Sequence, residues 1–322
     1  MRSKAAIIIC SLLVVMSLTC SCGKGQQKPV RTAKTEKIRA DLRVGVMPVM
    51  DCLPLYYASE NRLIGKDAGH VELVTYFSAL QCAAALRDGK VDMAYISQPE
   101  AIWLRGQGCR IRALASTDCD MTVVTNRSKR LKKLSELSGR TIAISRHNPS
   151  DLLLDEIATI TGIKPYYLLR PQINNIVVRR QMLDDGQTDA AVLPSPYDMI
   201  SIKSGNKKVY ESGKLKIRLG TFAAHDTVIA AKATRIKTLL TAYDEAAGKL
   251  NAGKARTDSI LIKKYKLKPE EIGLIKLPVI PALRPVRRED FTKVARWCMK
   301  RGYIKAMPSE ADFISTKFVT RK

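Results

Sequence analysis

Arg146 and His147 stand directly before Asn148, Pro149 and Ser150, a set of residues that opens helices. Two donors at a helix start favour a sulfonate, nitrate or carboxylate, because the free N–H groups and positive dipole end there already attract anions. A lone histidine is often only solvated, so the pair is a candidate rather than a signature. Asp51 and Cys52 share another loop. An acid there suits an amine, and a thiol near a helix start, Cys52 or Cys82, can ionise more readily and act as a nucleophile. Ser78, Gln81, Ser97, Gln98 and Ser195 add hydroxyls and amides, although Ser78, Asn148, Ser150 and Ser195 could do no more than cap helices. Phe77 and Tyr197 are able to stack on a flat ring such as a pyrimidine, and strand alternation lets only one of Tyr76 and Phe77 face any one side. No Cys-x-x-Cys or His-spaced cluster occurs, so neither a metal nor a cofactor is expected. The acids, bases and nucleophiles are scattered, which points to binding and not to catalysis.

The elements that must position these residues alternate regularly. From Leu42, LRVGVMP, VELVTYF, VDMAYIS and IRALAS read as strands, with helical spacing in LPLYYASENRLI, ALQCAAALRDG and EAIWLRGQG between them. Such alternation implies an α/β fold with parallel strands and helices on both faces. It restarts after Asp118–Asp120 with MTVVTN, a helix-like LKKLSELSG, the strand TIAIS, the helix LLLDEIATITG, the helix NIVVRRQMLDDGQ and the strand in DAAVLPSPYDMI. LKIRLGTF is a strand leading out into a mostly helical end. ALRDGKVDMAYISQPEAI and MLDDGQTDAAVLPSPYDMI repeat one unit: a helix closed by Gly, an Asp turn, a buried strand and a Pro-bearing loop. Ligands of open parallel sheets lie beyond such strand ends, so both loops are pocket candidates.

The N-terminus reads as an export signal. Arg2 and Lys4 precede the apolar run Ala5–Leu18, too short to span ~30 Å of hydrocarbon, and small residues follow. Its end resembles the bacterial lipoprotein box, which is cut before a cysteine that then carries the lipid; Cys22 fits this role, with Cys20 as the rival. Residues 1–22 are therefore the expected signal, and 23–40, poor in large apolar residues, a disordered tether. Of the remaining cysteines, Cys52, Cys82, Cys109, Cys119 and Cys298, at least one must be free unless the chain pairs with another. The formal net charge is +25, yet the basic residues are spread out and not gathered with interleaved aromatics, which speaks against nucleic acid. Only Arg127–Lys133 is a dense basic run, read as a solvated face or a contact to anionic headgroups.

From about Leu42 to Ile304 the chain resembles the type II periplasmic substrate-binding proteins of ABC importers, within the branch that binds nitrate, sulfonates, taurine and thiamine pyrimidine precursors. The likeness rests on LRVGVMPVMDCLPLYYASENRLI, the Asp-Gly-x-x-Asp segments with their Pro loops, LSELSGRTIAIS and PVRREDFTKVARWCMKRGYI. It implies two lobes, each a mostly parallel sheet flanked by helices: lobe one from 42–117 and 222–322, lobe two from 118–221. Two crossover strands, near Ser116–Asp118 and Gly220–His225, would join them around a cleft lined by the loop residues named above. It further implies a periplasmic, lipid-anchored monomer without enzymatic activity. Its partners would be a small anionic or heteroaromatic solute, an ABC permease with its ATPase and, through the lipid, the membrane. A solute sensor without a transporter is the alternative, as is an enzyme of the menaquinone-synthesis type, which the export signal disfavours. The cysteine-bearing first loop, the basicity and the few aromatics depart from the pattern.

Overall fold

The computed structural model describes residues 40–253 and 255–319; the signal, Cys22 and the tether to residue 39 lie outside the described residues. The chain begins β1 (Leu42–Val46), α1 (Leu53–Glu60), β2 (Val71–Thr75), α2 (Ala79–Arg87), β3 (Met93–Ser97), α3 (Gln98–Gly106) and β4 (Ile111–Thr117). β1 pairs in parallel with β2 and β3. Helices cover both faces of these strands, so β3 is buried along its whole length instead of alternating. The chain then crosses to a second sheet and builds β5 (Met121–Thr125), β6 (Ile142–Ala143), α4 (Pro149–Thr161), α5 (Ile176–Asp184), β7 (Ala190–Pro194), α6 (Tyr197–Lys203) and β8 (Lys207–Glu211). It returns as β9 (Gly220–His225) and finishes with α7 (Asp226–Asn251), α8 (Asp258–Tyr265), α9 (Pro269–Ile272), α10 (Arg288–Lys300) and α11 (Glu310–Phe313).

The first sheet has the order β2-β1-β3-β9-β4 and the second β6-β7-β5-β8. Each contains one reversed strand: β9 runs antiparallel between β3 and β4, and β5 between β7 and β8. Both are the first strand laid down after a passage between sheets. A chain entering from the junction runs against strands that end there, so the expected mostly parallel α/β architecture takes the form of two mixed sheets. Ser97, Gly220 and Thr117 end side by side in β3, β9 and β4. A Cβ at Gly220 would collide with the Thr117 hydroxyl and come within 2.8 Å of the Tyr95 hydroxyl and 3.1 Å of Cys119, so this packing requires glycine.

Three expected elements differ. LKKLSELSG forms only a short 3₁₀ turn, Leu134–Leu137, because Glu136 accepts from the N–H groups of Lys132 and Lys133 and Gly139, at φ 73°, turns the chain away. LKIRLGTF does not become a strand until Gly220: Leu215 closes a 3₁₀ turn and Lys216 is left-handed at φ 52°. The helical pieces after Asp226 join into α7, broken at Lys232 (φ −127°), whose ammonium pairs with Asp92 at 2.9 Å.

Phe222 of β9 is fully buried and meets Tyr95 and Tyr243 edge-on, with ring centroids 5.5 and 5.7 Å away. Phe222→Ala is expected to lower stability in urea unfolding by about 3–5 kcal/mol, the range for emptying an aromatic site. Val279→Ala, at a residue 80% exposed, should stay within about 0.5 kcal/mol of the parent. A small loss for Phe222→Ala would contradict its place in the core.

Candidate functional site

Four helix starts converge between the two sheets, and local sequence sets each of them. The Ser78 hydroxyl accepts from Gln81 N–H at the start of α2. Ser97 and Glu100 form a reciprocal capping box at α3, Asn148 accepts from Ser150 N–H beside Pro149 at α4, and Asn175 accepts from Val177 and Val178 at α5. Ala79, Ser97, Asn148 and Ile176, from these starts, line one cavity with Met47, Val49, Tyr95, Ile96, Met121, Ser145, Asn174 and Pro194. A water's centre has about 30 Å3 there, room for roughly two water molecules.

The charged lining residues are Asp51, Glu100, Asp120 and Arg179, three acids against one cation. Asp51 accepts the Cys119 N–H at 3.1 Å, yet burial pushes its carboxyl above the ordinary range, with Asp118 adding to the rise. Asp120 is open at the rim as a residue, but partial burial of its carboxyl, then the charges of Asp51 and Asp118, push it up to about 6. Glu100 is 1% exposed and accepts from Ser97 N–H (2.8 Å), the Ser97 hydroxyl (2.7 Å) and the Asn148 amide (3.3 Å), and burial still raises its carboxyl. Burial lowers the Arg179 guanidinium to about 10. Among the described residues no group of His, Cys, Asp and Glu is placed to hold a metal.

Of the residues singled out in the sequence, Asp51, Ser97 and Asn148 line this cavity. Ser78 caps α2 just outside it, Gln81 is exposed, and the carbonyl of half-buried Phe77 accepts from Ile176 N–H at 2.9 Å. Gln98 is buried and donates to the Arg218 carbonyl at 2.6 Å, which ties α3 to the return crossing. The Ser150 hydroxyl is spent on Ser145, and Ser195 donates to Asp198 at 2.8 Å while its carbonyl accepts from Met50 N–H. Tyr197 is wholly buried and donates to the Tyr265 carbonyl at 2.9 Å, so no ring face is left for a ligand. Arg146 is exposed. His147 lies outside the cavity, stacked on Trp103 at 4.4 Å and 6° and meeting Tyr303 edge-on at 4.3 Å. Burial lowers its pKa, so it is an aromatic contact more than a cation.

Neither Cys52 nor Cys82 has a depressed pKa. Both are fully buried in the core, where burial raises the thiols well above their ordinary value despite the nearby helix starts. Cys109, Cys119 and Cys298 are raised as well, and all five are free. None of these five thiols has the lowered pKa of an activated cysteine nucleophile.

Glu100, Asp120 and Arg179 are cavity residues that sequence reading passed over. Glu100 was signalled by its position three residues after Ser97, the spacing of a capping box. Asp120 belongs to a triplet that marks only a boundary in the sequence, and Arg179 falls inside a segment that reads only as a helix.

The family model described as NMT1/THI5 like matches residues 51–251, more than half of the chain. A search of curated proteins gives no match. Among solved structures, the alkanesulfonate-binding protein SsuA from Xanthomonas axonopodis pv. citri, bound to MOPS, aligns with 87% of this chain and 98% of its own at 16% identity and TM-score 0.71. The periplasmic aliphatic sulphonate binding protein SsuA from Escherichia coli aligns with 87% and 94%, at 16% identity and TM-score 0.73. The periplasmic nitrate-binding protein NrtA from Synechocystis PCC 6803 aligns with 84% and 83%, at 15% identity and TM-score 0.64. At such identities the likeness is one of fold.

The raised Asp120 carboxyl has a consequence for stability. Its folded pKa of about 6 lies above the ordinary 3.8, so its contribution is fully present below about 3.8 and is lost as pH rises through 6. Asp120→Asn should therefore raise the unfolding midpoint of the unliganded protein at pH 7.5, by roughly 2 °C or less given its open position at the rim. The gain should shrink to about a third at pH 4.5, which lies between the two pKa values, and vanish only below about pH 3.8. Thermal scans at the two pH values check this, and an equal or inverted effect at both would contradict it.

Proposed function

Because the chain belongs to the NMT1/THI5-like family and has the two-lobed fold of periplasmic solute-binding proteins, we propose that it captures a small amine-bearing heteroaromatic solute and delivers it to an ABC permease. The lobes would divide as 42–117 with 222–322 against 118–221, with the solute enclosed between them. Cys22 would carry the lipid, and the tether behind it would keep the receptor beside its permease at the membrane.

The observation that carries the ligand class is the placement of Asp51 and Asp120 on the cavity wall. Two carboxyls whose ionisation is suppressed gain most from a partner that donates hydrogen bonds or bears positive charge. They would repel a simple sulfonate or nitrate, and Arg146 and His147, the donors that would favour such anions, lie outside the cavity. Met47, Val49, Ile96, Met121, Ile176 and Pro194 supply the apolar walls that a flat ring requires. Aminopyrimidines, the thiamine-precursor class, combine both features. Such a ring needs more room than two waters occupy, so entry requires the lobes to part.

A thermal-shift screen of the mature protein tests this, since a ligand bound only by the folded state must raise its midpoint. 4-Amino-2-methylpyrimidine is expected to stabilise the protein, and nitrate, ethanesulfonate and succinate are not. Asp120→Asn should weaken the aminopyrimidine by about tenfold through loss of a charge-assisted hydrogen bond. Stabilisation by the simple anions alone would refute the reading.

A further inference from the structure

Arg179 is the single cation among the residues lining the cavity, and it is 2% exposed. Its Nη1 donates to the Ile173 carbonyl at 3.3 Å, while its Nε–H has no acceptor. Glu100, the acid whose charge it feels, is already held by Ser97 and Asn148 and makes no ion pair with it. A buried guanidinium with unmet donors is rare in folded proteins and calls for a partner. The helix starts of α3, α4 and α5 contribute Ser97, Asn148 and Ile176 to the same wall. Asp51 and Asp120 line the same cavity from the first loop and from the crossing into β5, whereas Arg179 comes from α5.

We propose that Arg179 determines specificity by reading a hydrogen-bond acceptor on the solute, so that the cavity selects a bipolar molecule with its acceptor at Arg179 and its amine at Asp51 and Asp120. This rests on the amine reading above and adds a second requirement to it. A ring nitrogen, a carbonyl or the acid group of an amino acid or aminosulfonate would each satisfy Arg179. A plain amine would not.

Calorimetric titration of the mature protein with matched probes tests this. 4-Amino-2-methylpyrimidine is compared with 3-methylaniline, which has the same outline and amine but no ring nitrogens, and taurine with propylamine. In at least one pair the bipolar member is expected to bind about tenfold tighter or more, the value of a hydrogen bond to a charged donor. Arg179→Met should abolish that advantage and leave the amine-only probe within about twofold of the parent, the change being confined to the acceptor contact. Arg179→Lys keeps the charge without Nε and should retain part of the advantage; if Arg179→Met does not fold, loss of part of it in Arg179→Lys decides the matter. An undiminished advantage in the variants, or equal binding of both members by the parent, overturns the proposal. Equal binding would leave the role of Asp51 and Asp120 standing, whereas no binding by any probe would end both readings.

Discussion

The three strand ends Ser97, Gly220 and Thr117 lie abreast, and nearly everything at the cavity depends on that arrangement. Gly220 admits it because it has no Cβ to meet the Thr117 and Tyr95 hydroxyls. With β9 wedged between β3 and β4, the outgoing and returning crossings leave the first sheet as neighbours. Cys119 is thereby brought under the first loop, where its N–H reaches Asp51 at 3.1 Å. Ser97, at the end of the adjacent strand, begins α3 and carries Glu100 into the same wall. A backbone register thus decides which charges face one another.

That placement leaves the acids in excess. Glu100 is matched by hydrogen bonds, whereas burial raises Asp51 and Asp120, with Asp118 adding to both and Asp51 adding to Asp120. Across the cavity Arg179 has the complementary deficit. A fold optimised for stability alone would pair such groups or replace them with apolar side chains, because an unmatched buried charge destabilises by several kcal/mol on the order of those measured elsewhere. On the proposed function, a bound solute would meet these demands from within the cavity.

The alternation of strands and helices was legible because it depends on local periodicity and caps, and Ser78, Ser97 and Asn148 do cap helices where their side chains imply. Which strand would run backward was not, since reversal follows from where the chain re-enters a sheet and leaves no local trace. The same limit applied to the site. Arg146 and His147 have the chemistry of an anion site, but His147 takes φ 57° and its ring turns onto Trp103, a partner far away in sequence. Tyr197 carries a stacking ring, yet Tyr265 and the core claim it. Residue type states what a side chain can do; tertiary packing decides whether it faces the ligand.

The contacts that bridge the two sheets' bodies differ in kind from those inside them. Asp151 receives Arg301 and Tyr303 from beyond α10 but also Arg170 at 2.6 Å from its own side. Glu100 holds Asn148 across the gap and Ser97 at home. Arg180 reaches Glu271 at 2.6 Å across the gap and has Asp184 at 3.8 Å on its own helix. Each bridging charge therefore retains a local partner if the bridge breaks, and water can take the vacated position at little net change in free energy. On the proposed function, a solute that satisfies Arg179, Asp51 and Asp120 would supply the differential interaction that favours the arrangement in which the three share one cavity.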